Sequence, residues 1–248
     1  MARSIIVTGA ASGFGEAIAR NFAAAGDAVM LADTNEAGGQ RVAHEIGAAG
    51  GMARFQHTDV ADTRSIQQLI EATLEWRDGI DVLVNNAGIT HPPLPAEAIE
   101  EEEFDRIFAV NFKSVYLLTT RAIPSLRARR GCIVNIASIT AEHPRWGQSV
   151  YAATKGAMIS FTRALAIELA PDGVRVNAVA PVASLTGMTK DTLGSADPQA
   201  RRRQIEATIP LGRLGEASDI AGVVTFLASP AAAFLTGMCV PIDGGRSI

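Results

Sequence analysis

Residues 4–15 read Ser4-Ile5-Ile6-Val7-Thr8-Gly9-Ala10-Ala11-Ser12-Gly13-Phe14-Gly15, a short apolar run that turns through three glycines into an amphipathic stretch. The apolar run predicts a strand over Ser4–Val7, and residues 13–25, followed by Gly26 at a natural C-cap position, predict a helix. Glycines at 9, 13 and 15 let the backbone turn sharply and approach a ligand closely. The free N–H groups and dipole at the start of the new helix favour a pyrophosphate there. The spacing is not the G-x-G-x-x-G of the common dinucleotide fingerprint. What carries the reading is the position of the turn, between the first strand and the first helix of an alternating chain.

Outward from this turn the alternation repeats. Further strands are predicted over 28–32, 52–58, 80–84, 133–136, 175–179 and 238–242. Helices fall between them: one ends near Gly47, one spans Thr63–Trp76, and a long helical region separates the fourth and fifth strands. Apolar strands alternating with helices predict a parallel sheet covered on both faces, and right-handed crossovers make it doubly wound. With no linker, low-complexity segment or repeat, the expectation is one α/β domain over residues 1–248 with a seven-stranded parallel sheet. The least regular stretch, about 183–210, is rich in Thr, Ser, Gly and Asp, follows the sixth strand, and has the length of a substrate lid.

Composition narrows the function. The 248 residues are 48% hydrophobic and 19% charged, which excludes a disordered chain. A formal net charge of -4 gives no basic face for nucleic acid, and Arg201-Arg202-Arg203 reads as a solvated helix face. Cys132 and Cys239 lie far apart in apolar stretches with no metal or disulfide spacing, so both read as buried thiols in a reducing compartment, and no metal is expected. The apolar run after Ser4 is too short for a signal-peptide core. Residues 222–242 carry no charge, but Pro230, Gly237 and Pro241 interrupt them. They read as a helix end, a turn and a strand, not a membrane span. The expectation is a cytoplasmic protein with no membrane partner.

Two groups of residues carry chemistry. Asp33 ends the second strand about 20 residues beyond the glycine turn, where a carboxylate accepts hydrogen bonds from both adenosine ribose hydroxyls and repels a 2′-phosphate. That position, with the uncharged Ser12, selects NAD over NADP. Asp59-Val60 after the third strand and Asn85-Asn86-Ala87-Gly88 after the fourth fall at the same sheet edge. The amides there either contact the adenine or hold neighbouring strands together. At the other end, Tyr151 and Lys155 are four apart and share a helix face, while Ser138 ends the fifth strand at the edge where open α/β sheets bind ligands.

These motifs, in this order, resemble the short-chain dehydrogenase/reductase family, in its single-domain branch of roughly 250 residues. The resemblance rests on TGAASGFG at 8–15, NNAG at 85–88, Asn111, Ser138, Tyr151-x-x-x-Lys155, Pro181, and the closing Phe234-Leu235-Thr236-Gly237 through Asp243-Gly244-Gly245. It implies a Rossmann-type fold and NAD held by Gly9, Ser12, Gly13, Phe14 and Gly15, by Asp33, Asp59 and Val60, by Asn86, Ala87 and Gly88, and by Tyr151 and Lys155. Pro181, Ser184 and Thr186 would hold the nicotinamide end. It also implies Tyr151 as general acid and base, Lys155 lowering its pKa and bonding the ribose, Ser138 bonding the substrate oxygen, and Asn111 holding a relay water. The family usually has Gly after Pro181; here Val182 stands there, a residue that does not readily take positive φ.

The resemblance implies pocket walls from Thr90-His91-Pro92-Pro93, from Thr140 to Gly147 and from about Leu185 to Ile209, with His91, Thr140, Arg145, Trp146 and Met188 as the residues expected against substrate. The resemblance implies an alcohol or carbonyl substrate, secondary or benzylic, with 3-oxoacyl thioesters and polyols as alternatives, and a homotetramer. An NAD(H)-binding regulator without catalysis has no need of the set Asn111, Ser138, Tyr151 and Lys155. A nucleotide-sugar epimerase needs a further substrate domain for which the chain has no room.

Overall fold

The computed structural model describes residues 2–182 and 198–248. Seven strands form one parallel sheet: β1 (Ser4–Thr8), β2 (Ala28–Asp33), β3 (Met52–His57), β4 (Val82–Asn85), β5 (Cys132–Ile136), β6 (Arg175–Pro181) and β7 (Cys239–Ile242). Their order is β3-β2-β1-β4-β5-β6-β7. The chain works outward from β1 to one edge, returns to β4, and then works outward to the other. The reversal between β1 and β4 opens a crevice at the carboxyl ends of the strands.

The strand sequences are apolar throughout because both faces are covered. On β1, Ile5 and Val7 pack with Ile18 and Phe22 of α1 (Gly13–Ala24), Val42 of α2 (Glu36–Ala48) and Val224 of α8 (Ala217–Leu227). Ile6, between them, packs on the opposite face with Leu69 of α3 (Thr63–Trp76), Leu118 of α5 (Ser114–Arg129) and Leu165 of α6 (Ser149–Leu169). Each such side chain fully buried contributes about 1.5–3 kcal/mol. β3 departs from the apolar pattern: as an outer strand it exposes alternate residues, with the Arg54 guanidinium 5.1 Å from the Trp76 ring centroid.

Two features bear on the crevice. Asn85 and Asn135 are register partners on β4 and β5, and Asn85 Nδ2 donates to Asn135 Oδ1 at 2.8 Å. Asn135 Nδ2 then donates to Thr162 Oγ1 on α6 at 2.8 Å, and Thr162 Oγ1 to Met158 O at 2.9 Å. This buried polar chain ties the sheet to α6 beneath its reacting end. The long helical region is also interrupted. Helix α4 (Glu101–Phe108) passes through a π-helical turn, Ala109–Lys113, before α5 begins, and Asn111 sits fully buried in that turn.

At the far edge, β7 pairs with β6 through Ala178 N–H to Met238 O at 2.7 Å and Val182 N–H to Ile242 O at 3.0 Å, and Pro241 lies exposed on it. Arg202 and Arg203 are exposed on α7 (Pro198–Glu206). Cys132 is buried, its thiol pushed up to about 11 by that burial, whereas Cys239, expected buried, is only half so. Among the described residues no helix is long and apolar enough to cross a membrane, and no group of three or more His, Cys, Asp or Glu could hold a metal ion.

Candidate active site

A cavity of about 790 Å³ lies along the carboxyl ends of the strands, from Asp33 at one end to Tyr151 and Trp146 at the other. Its floor at the Asp33 end is the glycine turn. Gly9 and Gly13 have φ of +64° and +57°, which only glycine adopts freely. A Cβ on Gly9 would stand 2.8 Å from Asn86 Nδ2 and 3.0 Å from Ala87 Cα. One on Gly15 would stand 2.1 Å from Gly9 O, so Gly15 is a packing residue of the turn and does not line the cavity. Ser12 is the N-cap of α1 and makes no side-chain cap bond, so the first-turn N–H groups are left for a ligand.

The residues around the turn hold its shape. Thr8 Oγ1 accepts from the N–H groups of Asn86 and Ala87, each at 3.0 Å, and Asn86 Nδ2 donates to Thr8 O at 2.7 Å and Gly9 O at 3.2 Å. Between adenine contact and strand tie, both short amides are used as ties: Asn85 within the buried chain, Asn86 as a strap on the turn. The Asp33 carboxylate accepts one backbone N–H on each oxygen, from Ala11 and from Asn35, both at 2.9 Å. Each oxygen keeps acceptor capacity at the cavity end that Asp59 and Val60 also line.

At the other end three elements converge. Lys155, one helical turn beyond Tyr151 on α6, donates from Nζ to Ile136 O at 2.8 Å and lies 5.8 Å from the Tyr151 ring centroid. It is 3% exposed, and burial lowers its ammonium to about 8. Burial raises the Tyr151 phenol above its ordinary value, opposed by a hydrogen bond with Ser138 and the charge of Arg145. Ser138 Oγ accepts from Thr140 N at 3.1 Å and shares a 3.1 Å hydrogen bond with Thr140 Oγ1. Asn111 does not line the cavity; it stands behind it. Its Oδ1 accepts from Ile89 N at 2.8 Å, and its Nδ2 donates to Ile89 O at 2.9 Å and Thr154 Oγ1 at 3.2 Å. A Cβ on Gly88 would come within 3.4 Å of Asn111 Oδ1 and 3.5 Å of Lys155 Nζ, which shows how tightly β4, the π-turn and α6 meet.

Of the expected substrate-wall residues, Thr140, Arg145 and the largely exposed Trp146 line the cavity. His91 does not. It is 1% exposed, with Nδ1 2.7 Å from Pro92 O. Its backbone carbonyl accepts from Gln148 Nε2 at 3.2 Å. Thr90 and Pro93, from the expected pocket-wall loop, line the cavity, and so does Gln148, which the sequence reading did not include. The loops carrying them are joined by Leu94 N–H to Gly147 O at 3.2 Å, and a Cβ on Gly147, whose φ is +76°, would meet Pro93 and Leu94 backbone at 2.8–2.9 Å. A glycine amid Arg145, Trp146 and Gln148 was the sequence signal for that close approach.

Pro181 and Val182 also line the cavity. Val182 does not take positive φ: among the described residues Arg130 is the one non-glycine that does. Val182 instead prolongs β6, its N–H donating to Ile242 O and its side chain packing with Ile139, Ile209 and Leu214. Ser184, Thr186, Met188 and the first half of the expected lid lie outside the described residues.

A nicotinamide dinucleotide fits these groups. The cradle that a Cβ would fill would hold its pyrophosphate, the Asp33 carboxylate with spare acceptor capacity its adenosine ribose, and the buried Lys155 ammonium its second ribose. Fold and site together define an oxidoreductase that works with a nicotinamide cofactor. A family model described as enoyl-(acyl carrier protein) reductase matches residues 9–247. The 4-formylbenzenesulfonate dehydrogenase of Comamonas testosteroni is 46% identical, over 98% of this chain and 97% of its own. The meso-2,3-butanediol dehydrogenase of Serratia marcescens is 37% identical, over 98% and 94%. Among solved structures, a 3-ketoacyl-(acyl-carrier-protein) reductase from Brucella melitensis complexed with NADH superposes with a TM-score of 0.93 at 42% identity, covering 99% of this chain and 98% of that one. The chain belongs to the short-chain dehydrogenase/reductase family.

Proposed function

We propose that the chain is an NAD(H)-linked dehydrogenase interconverting a secondary or benzylic alcohol and its carbonyl. The observation that carries this reading is the meeting of Tyr151, Ser138 and Lys155 at one end of a cavity whose other end is Asp33. Bound NAD supplies the hydride acceptor, and NADH the donor. In oxidation the Tyr151 phenolate takes the hydroxyl proton of the alcohol; in reduction the phenol returns it to the carbonyl oxygen. Ser138, already fixed by the Thr140 N–H, turns its own proton from Thr140 Oγ1 to the substrate oxygen and stabilises charge there. The Lys155 ammonium favours the phenolate. Both Nδ2 protons of Asn111 are engaged, with Ile89 O and Thr154 Oγ1, so a relay water held by this residue would donate to it and not accept from its side chain.

Asp33 supports NAD over NADP by charge and by its spare acceptor capacity, although a solved relative from Beutenbergia cavernae, 36% identical with a TM-score of 0.92 over 99% of this chain and 96% of that one, holds NADP at low occupancy. Arg145 and Trp146 on the substrate side support an aromatic substrate carrying an anionic group, by charge-assisted hydrogen bonds and stacking. The name of the Comamonas relative, a dehydrogenase of a formylbenzenesulfonate, agrees with that chemistry. On the same reading the protein is a cytoplasmic homotetramer, which the exposed apolar Phe234 and Ile167 support.

The test is NADH formation or consumption by the purified protein with aromatic alcohols and aldehydes, polyols and 3-oxoacyl thioesters, alongside NADP(H). Turnover with NAD(H) on a benzylic alcohol, lost in Tyr151→Phe while NADH still binds, is the expected outcome. Turnover that survives the substitution removes Tyr151 from its role. A preference for NADP(H) removes the reading of Asp33.

A further inference from the structure

Beside the glycine turn, and not among the residues that line the cavity, lies a cluster of four charges. Arg41 on α2 donates from Nη2 to Glu16 Oε2 at 2.7 Å, and from Nη1 to Glu16 Oε1 at 3.1 Å and Glu45 Oε2 at 3.0 Å. Arg20 donates from Nη2 and Nε to Glu16 Oε1 at 2.7 and 3.0 Å, and also pairs with Glu45. Two guanidinium and two carboxylate groups balance, and both carboxyls are held below their ordinary range by the arginines. The cluster touches the turn at one point: Arg41 Nη2 donates to Ala11 O at 3.3 Å. The N–H of the same Ala11 donates to Asp33 Oδ2 at 2.9 Å. One residue of the glycine turn is therefore gripped on one side by the carboxylate that faces the adenosine ribose and on the other by a guanidinium.

A guanidinium this close to the ribose end is what a 2′-phosphate seeks. Arg41 does not offer it, because Glu16 and Glu45 together occupy both terminal nitrogens and cancel the charge. We propose that Glu16 and Glu45 are specificity determinants for the cofactor, acting through Arg41. They hold its guanidinium, on a side chain 46% exposed, against Ala11 and paired, so that a 2′-phosphate meets the Asp33 carboxylate and no unpaired cation from Arg41. Arg41 is a positioning residue of the turn and a suppressed phosphate ligand. This rests on the reading of Asp33 as the ribose-binding carboxylate and adds a second layer behind it. Removing the two negative charges leaves a local charge of +2 beside the turn and frees Arg41 to swing toward the ribose.

The test compares binding of 5′-AMP and 2′,5′-ADP, which differ only in the 2′-phosphate, by calorimetry to wild type, to Glu16→Gln/Glu45→Gln, and to the same pair combined with Arg41→Gln. NADH and NADPH fluorescence titrations run in parallel. The expected result is a shift of about tenfold or more in the affinity ratio toward the 2′-phosphorylated ligand in the double variant, a shift that shrinks with salt and disappears when Arg41 is also replaced. Equal weakening of both ligands overturns the proposal, since a purely structural cluster would act that way. So does a shift that persists without Arg41. If the double variant does not fold, Glu45→Gln alone, at the more exposed end of the cluster, is expected to shift the ratio in the same direction by less, and no shift there counts against the proposal. A wild type that already favours 2′,5′-ADP sinks the reading of Asp33, whereas the change between variants still judges the cluster.

Discussion

Burial of the Lys155 ammonium has a thermodynamic signature measurable without any substrate. Its value falls from 10.5 in the unfolded chain to about 8 in the folded one. Between those values the unfolded chain binds more protons, so folding stability rises with pH there; below about 8 the full penalty of a buried charge is present. The difference amounts to about 3 kcal/mol. Denaturant unfolding of wild type and Lys155→Met should therefore show the wild type gaining on the variant by up to that amount as pH rises through this window, and parallel curves would refute it. Tyr151 gives a kinetic counterpart. Burial raises its phenol, and the phenolate is the form that takes a proton, so initial rates of alcohol oxidation should climb with pH while carbonyl reduction falls. Tyr151→Phe should lower both by roughly 10²–10⁴. At this scale the sequence was readable where spacing alone fixes geometry: Tyr151 and Lys155 share a helix face whatever surrounds them. Gln148 was not readable, because a hydrogen bond across to the His91 loop holds it at the cavity. His91 misled for the same reason, its ring turning toward Pro92.

Elements behave differently from residues, because a helix or turn is legible by pattern while its distortions are not. The glycine turn was found from its position after β1, and its steric logic makes a sharp prediction. Gly15→Ala places a Cβ against Gly9 O, which is backbone and cannot rotate away. A loss of about 1–3 kcal/mol in unfolding free energy is expected, together with weaker cofactor binding by titration; unchanged binding would separate the turn from the cofactor. The π-turn at Asn111 left no trace in the pattern of residues 101–129, because inserting one residue into a helix changes no side-chain type. Its effect is to aim an amide at the backbone of Ile89. Asn111→Ala would remove both hydrogen bonds to the half-buried Ile89 backbone, at a cost of about 1–3 kcal/mol for the two together by chemical denaturation. Val182 shows the reverse case. A family habit suggested a strained loop, and the described chain simply extends β6 by one more hydrogen bond.

On the scale of the whole molecule, a doubly wound parallel sheet followed from alternation and crossover handedness, since each central strand is covered on both sides and so reads as a continuous apolar run; the order of its strands came from the structure. β3 was placed by its position in the chain more than by its composition, its outer face being open to water. Assembly is the property least written in the pattern, because an exposed Phe234 is equally a subunit contact or an isolated apolar tip. Light scattering at micromolar concentration should find four copies, and a monomer would remove the tetramer. The geometry of β7 limits how copies can meet. Met238 and Ile242 turn their carbonyls toward β6, so by alternation Pro241 faces the open side, where it has no N–H to give. An arriving strand from another molecule would find a gap in the ladder at the middle of a four-residue edge. At β7 the sheet is thus a terminated polymer: its seventh rung is chemically stopped, so copies do not join by lengthening the ribbon from that end. Pro241→Val would reopen that end, and rising turbidity in concentrated solutions of the variant, at temperatures the wild type tolerates, is the expected consequence.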